Sequence, residues 1–286
     1  MKKYTVGFIG YGNMAQAIVS GLTDKLSVYL LKDAGFKLKI AVSDPDAEKL
    51  STAPKCVAVT NDNVAIVESC DVVVLSIKPQ IAAEVLQGLD FSGKIVVSIM
   101  ASVSTVALRK LTGHTTEKIV RVMPNLNARV GNAYSTYCTT GLNNGEARLI
   151  KSILCSFGEA REVDEKFMNV TTGIGGSGPA FAFMFIDAFY NAALRRGVPD
   201  DVALEMAVST IRGSVNLIEA TFCRDHEAVG EKADIDELVR SVCSKGGTTI
   251  EGVNYLNDNH FESVIEEAIY RAVARAEEMG KSNEER

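Results

Sequence analysis

Tyr4-Thr-Val-Gly-Phe-Ile-Gly-Tyr-Gly-Asn-Met-Ala-Gln-Ala-Ile18 is the stretch whose reading decides the fold. Tyr4 to Ile9 is apolar and β-rich, which predicts a buried strand. Gly10-Tyr-Gly12 forces a tight turn, and Asn13-Met14-Ala15 opens a helical pattern of small residues. Free backbone N–H groups at such a helix start, with the helix dipole behind them, make an anion site. Gly10 permits the turn and Gly12 lets a pyrophosphate approach the backbone. Ala15 keeps helix and strand close, as the third small residue of a dinucleotide fingerprint does. A tight βα turn that binds nothing is the competing reading, and the alternation that follows argues against it.

That alternation runs on through Lys39–Ser43, Val57–Thr60, Asp71–Ser76, Lys94–Met100 and Glu117–Val122 as strands. Helical segments stand between them, over 63–68 after an Asn61-Asp-Asn63 cap, over 80–89, and over 104–111 behind a serine cap. Buried apolar strands alternating with helices predict a parallel sheet covered on both faces. Asn132–Thr139 and Ala160–Val163 read as further strands at its edge. The texture changes near Asp164, beyond which no strand is predicted. Pro179–Leu194 is apolar on nearly every face and must be covered on all sides. Val202–Ala220 is amphipathic, and Phe261, Val264, Ile265, Ala268, Ala272, Ala276 and Met279 keep helical spacing. The expected class is α/β, with a Rossmann-like dinucleotide-binding domain over 1–163. An all-helical domain over 164–286 would bury its apolar surface by dimerisation.

The chain has 286 residues, 47% of them hydrophobic and 23% charged, with a net charge of −6. This composition is that of a globular protein, and its acidity argues against a nucleic-acid partner. No signal peptide is expected, since Met1-Lys2-Lys3 leads straight into a strand. No apolar stretch is long enough to span a bilayer, so no membrane partner is expected. Six scattered cysteines without a Cys-x-x-Cys pair suit free thiols in a reducing cytoplasm, and three dispersed histidines make no metal cluster.

Four stretches, taken in order, resemble the pyrroline-5-carboxylate reductase family. They are Gly7-Phe-Ile-Gly-Tyr-Gly-Asn-Met-Ala15, Ser76-Ile-Lys-Pro79, Arg121-Val-Met-Pro-Asn125, and a pair in the helical part. The pair is Gly175-Gly-Ser-Gly-Pro-Ala180 with Ser241-Val-Cys-Ser-Lys-Gly-Gly-Thr-Thr-Ile250. The resemblance covers nearly the whole chain, and the Gly-Gly-Thr-Thr-Ile element is its most specific part. It implies hydride transfer from NADPH or NADH to 1-pyrroline-5-carboxylate, giving L-proline, in a homodimer or a larger homo-oligomer built from dimers. It also implies that Gly246, Gly247, Thr248 and Thr249 hold the substrate carboxylate and that the Thr249 hydroxyl reaches the ring nitrogen. Gly175, Gly176, Ser177 and Gly178 would belong to the same pocket wall. Read by itself, Gly246-Gly247 before Thr248-Thr249 is a glycine turn opening a helix, whose free N–H groups suit a carboxylate. Two departures stand out. Lys245 occupies the place of the family's usual proline, and the acidic connection Ala220–Leu238, expected as a solvated loop, is longer than usual.

The cofactor-binding residues expected are Gly10, Gly12, Asn13, Met14, Ser43, Asp44, Asn63, Ser76, Lys78, Pro79 and Asn125. Ser43-Asp44 end the second strand, where the ribose is read. A carboxylate there accepts from ribose hydroxyls and repels a 2′-phosphate. With no lysine or arginine between Val42 and Glu48, the expectation leans to NADH. Asn63 matches a family position near the adenosine half. Lys78-Pro79 and Asn125 close turns at the carboxyl edge of the sheet. No histidine lies inside the motifs, in keeping with a protonated imine that is already electrophilic. A β-hydroxyacid dehydrogenase shares the domain plan, and Gly173, Gly176 and Gly178 fit its glycines. Ala182 and Ile186 stand where its lysine and asparagine belong, so the proton carrier is missing. A non-catalytic dinucleotide sensor is the rival from another class, encouraged only by Lys245.

Overall fold

The computed structural model describes residues 1–222 and 235–284. The chain forms two compact units, residues 1–179 with 269–286, and residues 180–268.

In the first unit an eight-stranded sheet has the order β3-β2-β1-β4-β5-β6-β7-β8. The strands are β1 (Lys2–Ile9), β2 (Phe36–Ser43), β3 (Ala58–Thr60), β4 (Val72–Leu75), β5 (Ile95–Ser98), β6 (Ile119–Met123), β7 (Ala133–Thr140) and β8 (Gly158–Glu162). The first six strands follow the order of dinucleotide-binding sheets. They are parallel, β7 runs antiparallel to β6, and β8 is parallel to β7. The expectation of a parallel sheet therefore holds for the six strands it was read from, and the two further edge strands run opposite to them. The short connection after β6 passes through a 3-10 turn, too short a path for a parallel crossover. Every residue of β4 and β5 is buried, as central parallel strands require.

Helices α1 (Asn13–Thr23), α2 (Lys25–Asp33), α3 (Ala47–Ser51), α4 (Asn63–Ser69), α5 (Ala82–Leu86), α6 (Thr105–Leu111), α7 (Asn144–Cys155) and α8 (Met168–Thr171) belong to this unit. One core gathers Phe8, Tyr11, Leu22, Leu149 and Phe157, and a second gathers Ile9, Ile66, Leu75, Phe91 and Leu108. β1 feeds both, because successive side chains point to opposite faces. Sequence reading assigned no element between Thr140 and Ala160, yet α7 fills it. Its signal was the Asn143 cap reciprocated by Glu146, a capping box before an apolar run. The long segment after α1 is a second helix, begun by Asp24, whose carboxylate accepts from the Leu26 N–H. The helix expected over 80–89 shortens to a 3-10 turn at Pro79–Ile81 and α5.

From Asp164 onward the described residues contain helices and turns but no strand. The second unit comprises most of α9 (Gly178–Arg195), α10 (Asp200–Phe222), α11 (Ile235–Val242), α12 (Thr248–Asp258) and the start of α13 (Phe261–Glu284). The loop expected over Ala220–Leu238 lies mostly outside the described residues. Its margins are helical, in α10 and α11. Within this unit Phe185 packs on Phe189 and Phe261, with ring centres 5.0 and 6.2 Å apart. α9 buries no residue within the single chain, and its Phe183 and Met184 are 55% and 71% exposed. An apolar helix left open in this way is the mark of a protein interface.

Phe8 is 1% exposed, at the centre of the larger core. Phe8→Ala is expected to cost about 3–5 kcal/mol of stability. The check is the midpoint of urea unfolding followed by circular dichroism. An unchanged midpoint would place the core elsewhere.

Candidate dinucleotide and substrate site

The carboxyl ends of β1, β2 and β4 are tied together around Gly10. Its φ is +92°, and a side chain there would place Cβ 2.7 Å from the Ser76 carbonyl oxygen. The Gly10 N–H donates to the Ser43 carbonyl (2.8 Å), and the Ser76 N–H donates to the Ile9 carbonyl (2.9 Å). The Ser76 hydroxyl is shared between the carbonyls of Ile9 and Gly10. The Ser43 hydroxyl binds Asn63 Oδ1 at 2.6 Å. Gly10, Ser43, Asn63 and Ser76, all expected at a cofactor site, thus form one hydrogen-bonded cluster.

Gly12 is the N-cap of α1, and no side chain caps that helix. A Cβ added to Gly12 would meet nothing within 4 Å, so the space in front of the Asn13 and Met14 N–H groups is open. Uncapped N–H groups facing open space at the start of an eleven-residue helix suit a pyrophosphate. The donor set fits a dinucleotide.

Asp44 needs a more exact account. It is 6% exposed, and its carboxylate accepts from the Tyr11 N–H (2.8 Å) and from the Asp46 N–H (3.0 Å). It therefore braces the glycine turn and the bend after β2. Lys49 Nζ lies 3.4 Å from Asp44 Oδ1 and 3.6 Å from Asp46 Oδ2. The lysine falls one residue beyond the window 42–48, and the short helix α3, capped by Asp46, turns it back. Sequence reading missed it. Lys78 is exposed and precedes the 3-10 turn whose first residue is Pro79.

At the end of β6, Asn125 is buried and joins two expected halves of the site. Its Oδ1 accepts from the Asn127 N–H (3.2 Å), and its Nδ2 donates to the Gly175 carbonyl (3.1 Å). Gly175 and Gly176 close a π-helical turn, Thr172–Gly176, a form associated with functional sites. A Cβ on Gly176 would meet the terminal methyl of Met123, which would have to move aside. Ser177 caps that turn, and Gly178 begins α9 one residue before Pro179. Nearby, Arg121 donates to Glu165 (3.3 Å) and to Asn169 (2.8 Å). A lone arginine inside an apolar strand was the available signal for such a buried pair.

Gly246, Gly247, Thr248 and Thr249 lie in the second unit. Gly246 has φ +71°, and the Gly247 N–H donates to the Ser244 carbonyl (3.0 Å). Gly247 is the N-cap of α12, again without a side-chain cap. Thr248 and Thr249 are exposed in the single chain, as is Lys245. The geometry expected of a carboxylate-receiving helix start is present there. No cluster of metal ligands occurs, and no helix is long and apolar enough to cross a membrane, among the described residues.

Sheet order, the open glycine turn and the helical remainder define a Rossmann-type dinucleotide-binding fold joined to a helical dimerisation region. Residues 165–279 match the family model described as pyrroline-5-carboxylate reductase dimerisation, and residues 5–102 match that of NADP oxidoreductase, coenzyme F420-dependent. The chain is 35% identical to pyrroline-5-carboxylate reductase of Aquifex aeolicus, covering 96% of this chain and 97% of that one. It is 31% identical to the enzyme of the same name from Escherichia coli, with 97% and 98% covered. The crystal structure of Plasmodium falciparum pyrroline carboxylate reductase with NADP bound superposes with a TM-score of 0.82 at 25% identity, covering 97% and 98%. The chain belongs to the pyrroline-5-carboxylate reductase family.

Two outcomes test the site. Gly12 has extended, unstrained backbone and open space, so Gly12→Asp should fold and even cap α1. Its carboxylate would occupy the anion position, and dinucleotide affinity measured by titration calorimetry should fall roughly tenfold or more, about 1.4 kcal/mol. Glu165 is pushed up by burial, but the Thr105 N–H and hydroxyl and Arg121 outweigh this and hold it below the usual glutamate range. Its stabilising contribution is complete above the ordinary glutamate pKa and is lost as pH falls through the lowered value. In Glu165→Gln the loss of melting temperature below about pH 4.3 should be shallower than in wild type.

Proposed function

We propose that this protein reduces 1-pyrroline-5-carboxylate to L-proline with NAD(P)H, as the last step of proline biosynthesis. The observation that carries the reading is the Gly-Gly-Thr-Thr helix start, uncapped, in a chain whose other unit holds an open dinucleotide turn. Relatives of that name, similar over nearly the full length, support it.

In this reading Gly12, Asn13 and Met14 receive the pyrophosphate on backbone N–H groups, and Gly10 makes the cofactor-binding turn that presents them. Ser43, Asn63, Ser76, Lys78 and Pro79 line the adenosine and central parts, and Asn125 faces the nicotinamide end. The reduced nicotinamide, when bound, supplies a hydride for the C=N carbon of the substrate. Gly246, Gly247 and Thr248 hold the substrate carboxylate, and Gly175, Gly176, Ser177 and Gly178 form a wall of the pocket. The Thr249 hydroxyl hydrogen-bonds the ring nitrogen. Because the protonated imine is already electrophilic, orientation does most of the catalytic task. The helical segment 164–286 makes a homodimer, supported by the apolar residues that α9 leaves exposed. The compartment proposed is the cytoplasm.

The finer proposal of a preference for NADH rests on the charge of Asp44 at the end of β2. Lys49 opposes it, since an ammonium there favours a 2′-phosphate. Steady-state kcat/KM for NADH and NADPH with pyrroline-5-carboxylate decides both points. Turnover establishes the reaction, and a ratio clearly favouring NADPH rejects the preference. Thr249→Ala should lower kcat roughly tenfold or more with the fold retained. Unchanged kinetics would remove the hydroxyl from the reaction. Tight NADH binding without turnover would favour the sensor reading.

A further inference from the structure

The first unit holds a polar cleft of about 220 Å³, lined by Ser102, Ser104, Arg121, Asn169, Glu277 and Lys281. Nothing in the proposed reaction uses these residues. Arg121 is only 5% exposed. Its two hydrogen bonds, to Glu165 and Asn169, engage two of the five N–H donors that a guanidinium offers. Ser102 is 3% exposed and sits at φ +59°, a left-handed conformation rare for a residue with a side chain. Its hydroxyl is buried without a hydrogen-bond partner. A buried orphan hydroxyl costs about 1–3 kcal/mol, and the left-handed backbone adds to that. The conformation is held from outside, since Asn283 Nδ2 donates to the Ser102 carbonyl at 3.1 Å. A nine-tenths buried arginine with spare donors lining an open polar cleft points to a missing acceptor.

The charges around the cleft decide what kind of acceptor. Arg121 and Lys281 are cationic, while Glu165 (paired with Arg121) and Glu277 are anionic, so the formal charge is balanced. Glu277 and Lys281 are one turn apart on α13, side by side at the opening. A simple anion would find its attraction offset, and so would a simple cation. A molecule carrying both charges would satisfy both sides. The volume of about 220 Å³ lies below the roughly 300–1,000 Å³ of drug-sized pockets, which favours a small ligand.

We propose that this cleft is a binding site for a small zwitterionic α-amino acid. The carboxylate takes the spare Arg121 donors, with Lys281 beside it, and the ammonium faces Glu277. The site goes beyond the proposed reaction, because none of its residues belongs to the dinucleotide or substrate groups named above.

The test is titration calorimetry of the full chain with glycine, L-alanine, L-serine and L-proline, using acetate and methylammonium as single-charge controls. At least one amino acid should bind and neither control should match it. Glu277→Gln with Lys281→Ala should weaken that binding roughly tenfold or more. Binding that survives the α13 substitutions unchanged belongs to another site and overturns the proposal. So does equal binding of acetate, which would make the cleft an anion site, and so does the absence of heat with all four amino acids. Reductase turnover is measured apart from this heat, so failure of the proposed reaction would leave the result on the cleft readable.

Discussion

The constraint on which the rest depends is the close approach of backbone to backbone where β1 ends. The Gly10 N–H reaches the Ser43 carbonyl, and the Ser76 N–H reaches the Ile9 carbonyl. These bonds draw the carboxyl ends of β2 and β4 onto the same turn, with no room for a Cβ at Gly10. Because the turn is closed by these bonds, the first N–H groups of α1 are left facing open space. The features that build the sheet also prepare the anion site, so fold and function share one set of hydrogen bonds.

Buried polar groups mark how this unit spends its few charges. Asp44, Ser43 and Asn125 are buried, and each is engaged by backbone or side-chain partners near a strand end. An unpaired carboxylate there would be costly, and two backbone N–H donors offset the cost for Asp44. The same account brings out Ser102 and Ser135, whose buried hydroxyls have no partner.

The second unit follows a different logic. Its helices carry an apolar surface that the single chain leaves open on α9 and α10. Hydrophobic burial scales with area removed from water, so such faces become stable only against another surface. Small buried residues, Ala203 and Ala207, let α10 pack closely on its neighbours while its Leu204 and Met206 stay exposed. The match to a dimerisation family over 165–279 agrees with this physical reading.

The sequence by itself determined the parallel nucleotide-binding sheet, the glycine turn, the change to helices after Asp164 and the Gly-Gly-Thr-Thr helix start. Each is a local signal, written in hydrophobic period or in glycine placement. It missed α7, whose capping box sat between two weak edge strands, and it did not foresee that β7 turns back antiparallel. Only the tertiary structure decided what Asp44 does. Its partners at Tyr11 and Lys49 are set by a strand crossing and by a helical turn, neither of which appears in a window of neighbours. The tie between Asn125 and Gly175, fifty residues apart, and the cleft between Ser102 and α13 are likewise products of folding. Hydrogen bonds and charge pairs act through space, and local sequence records only the groups that can make them.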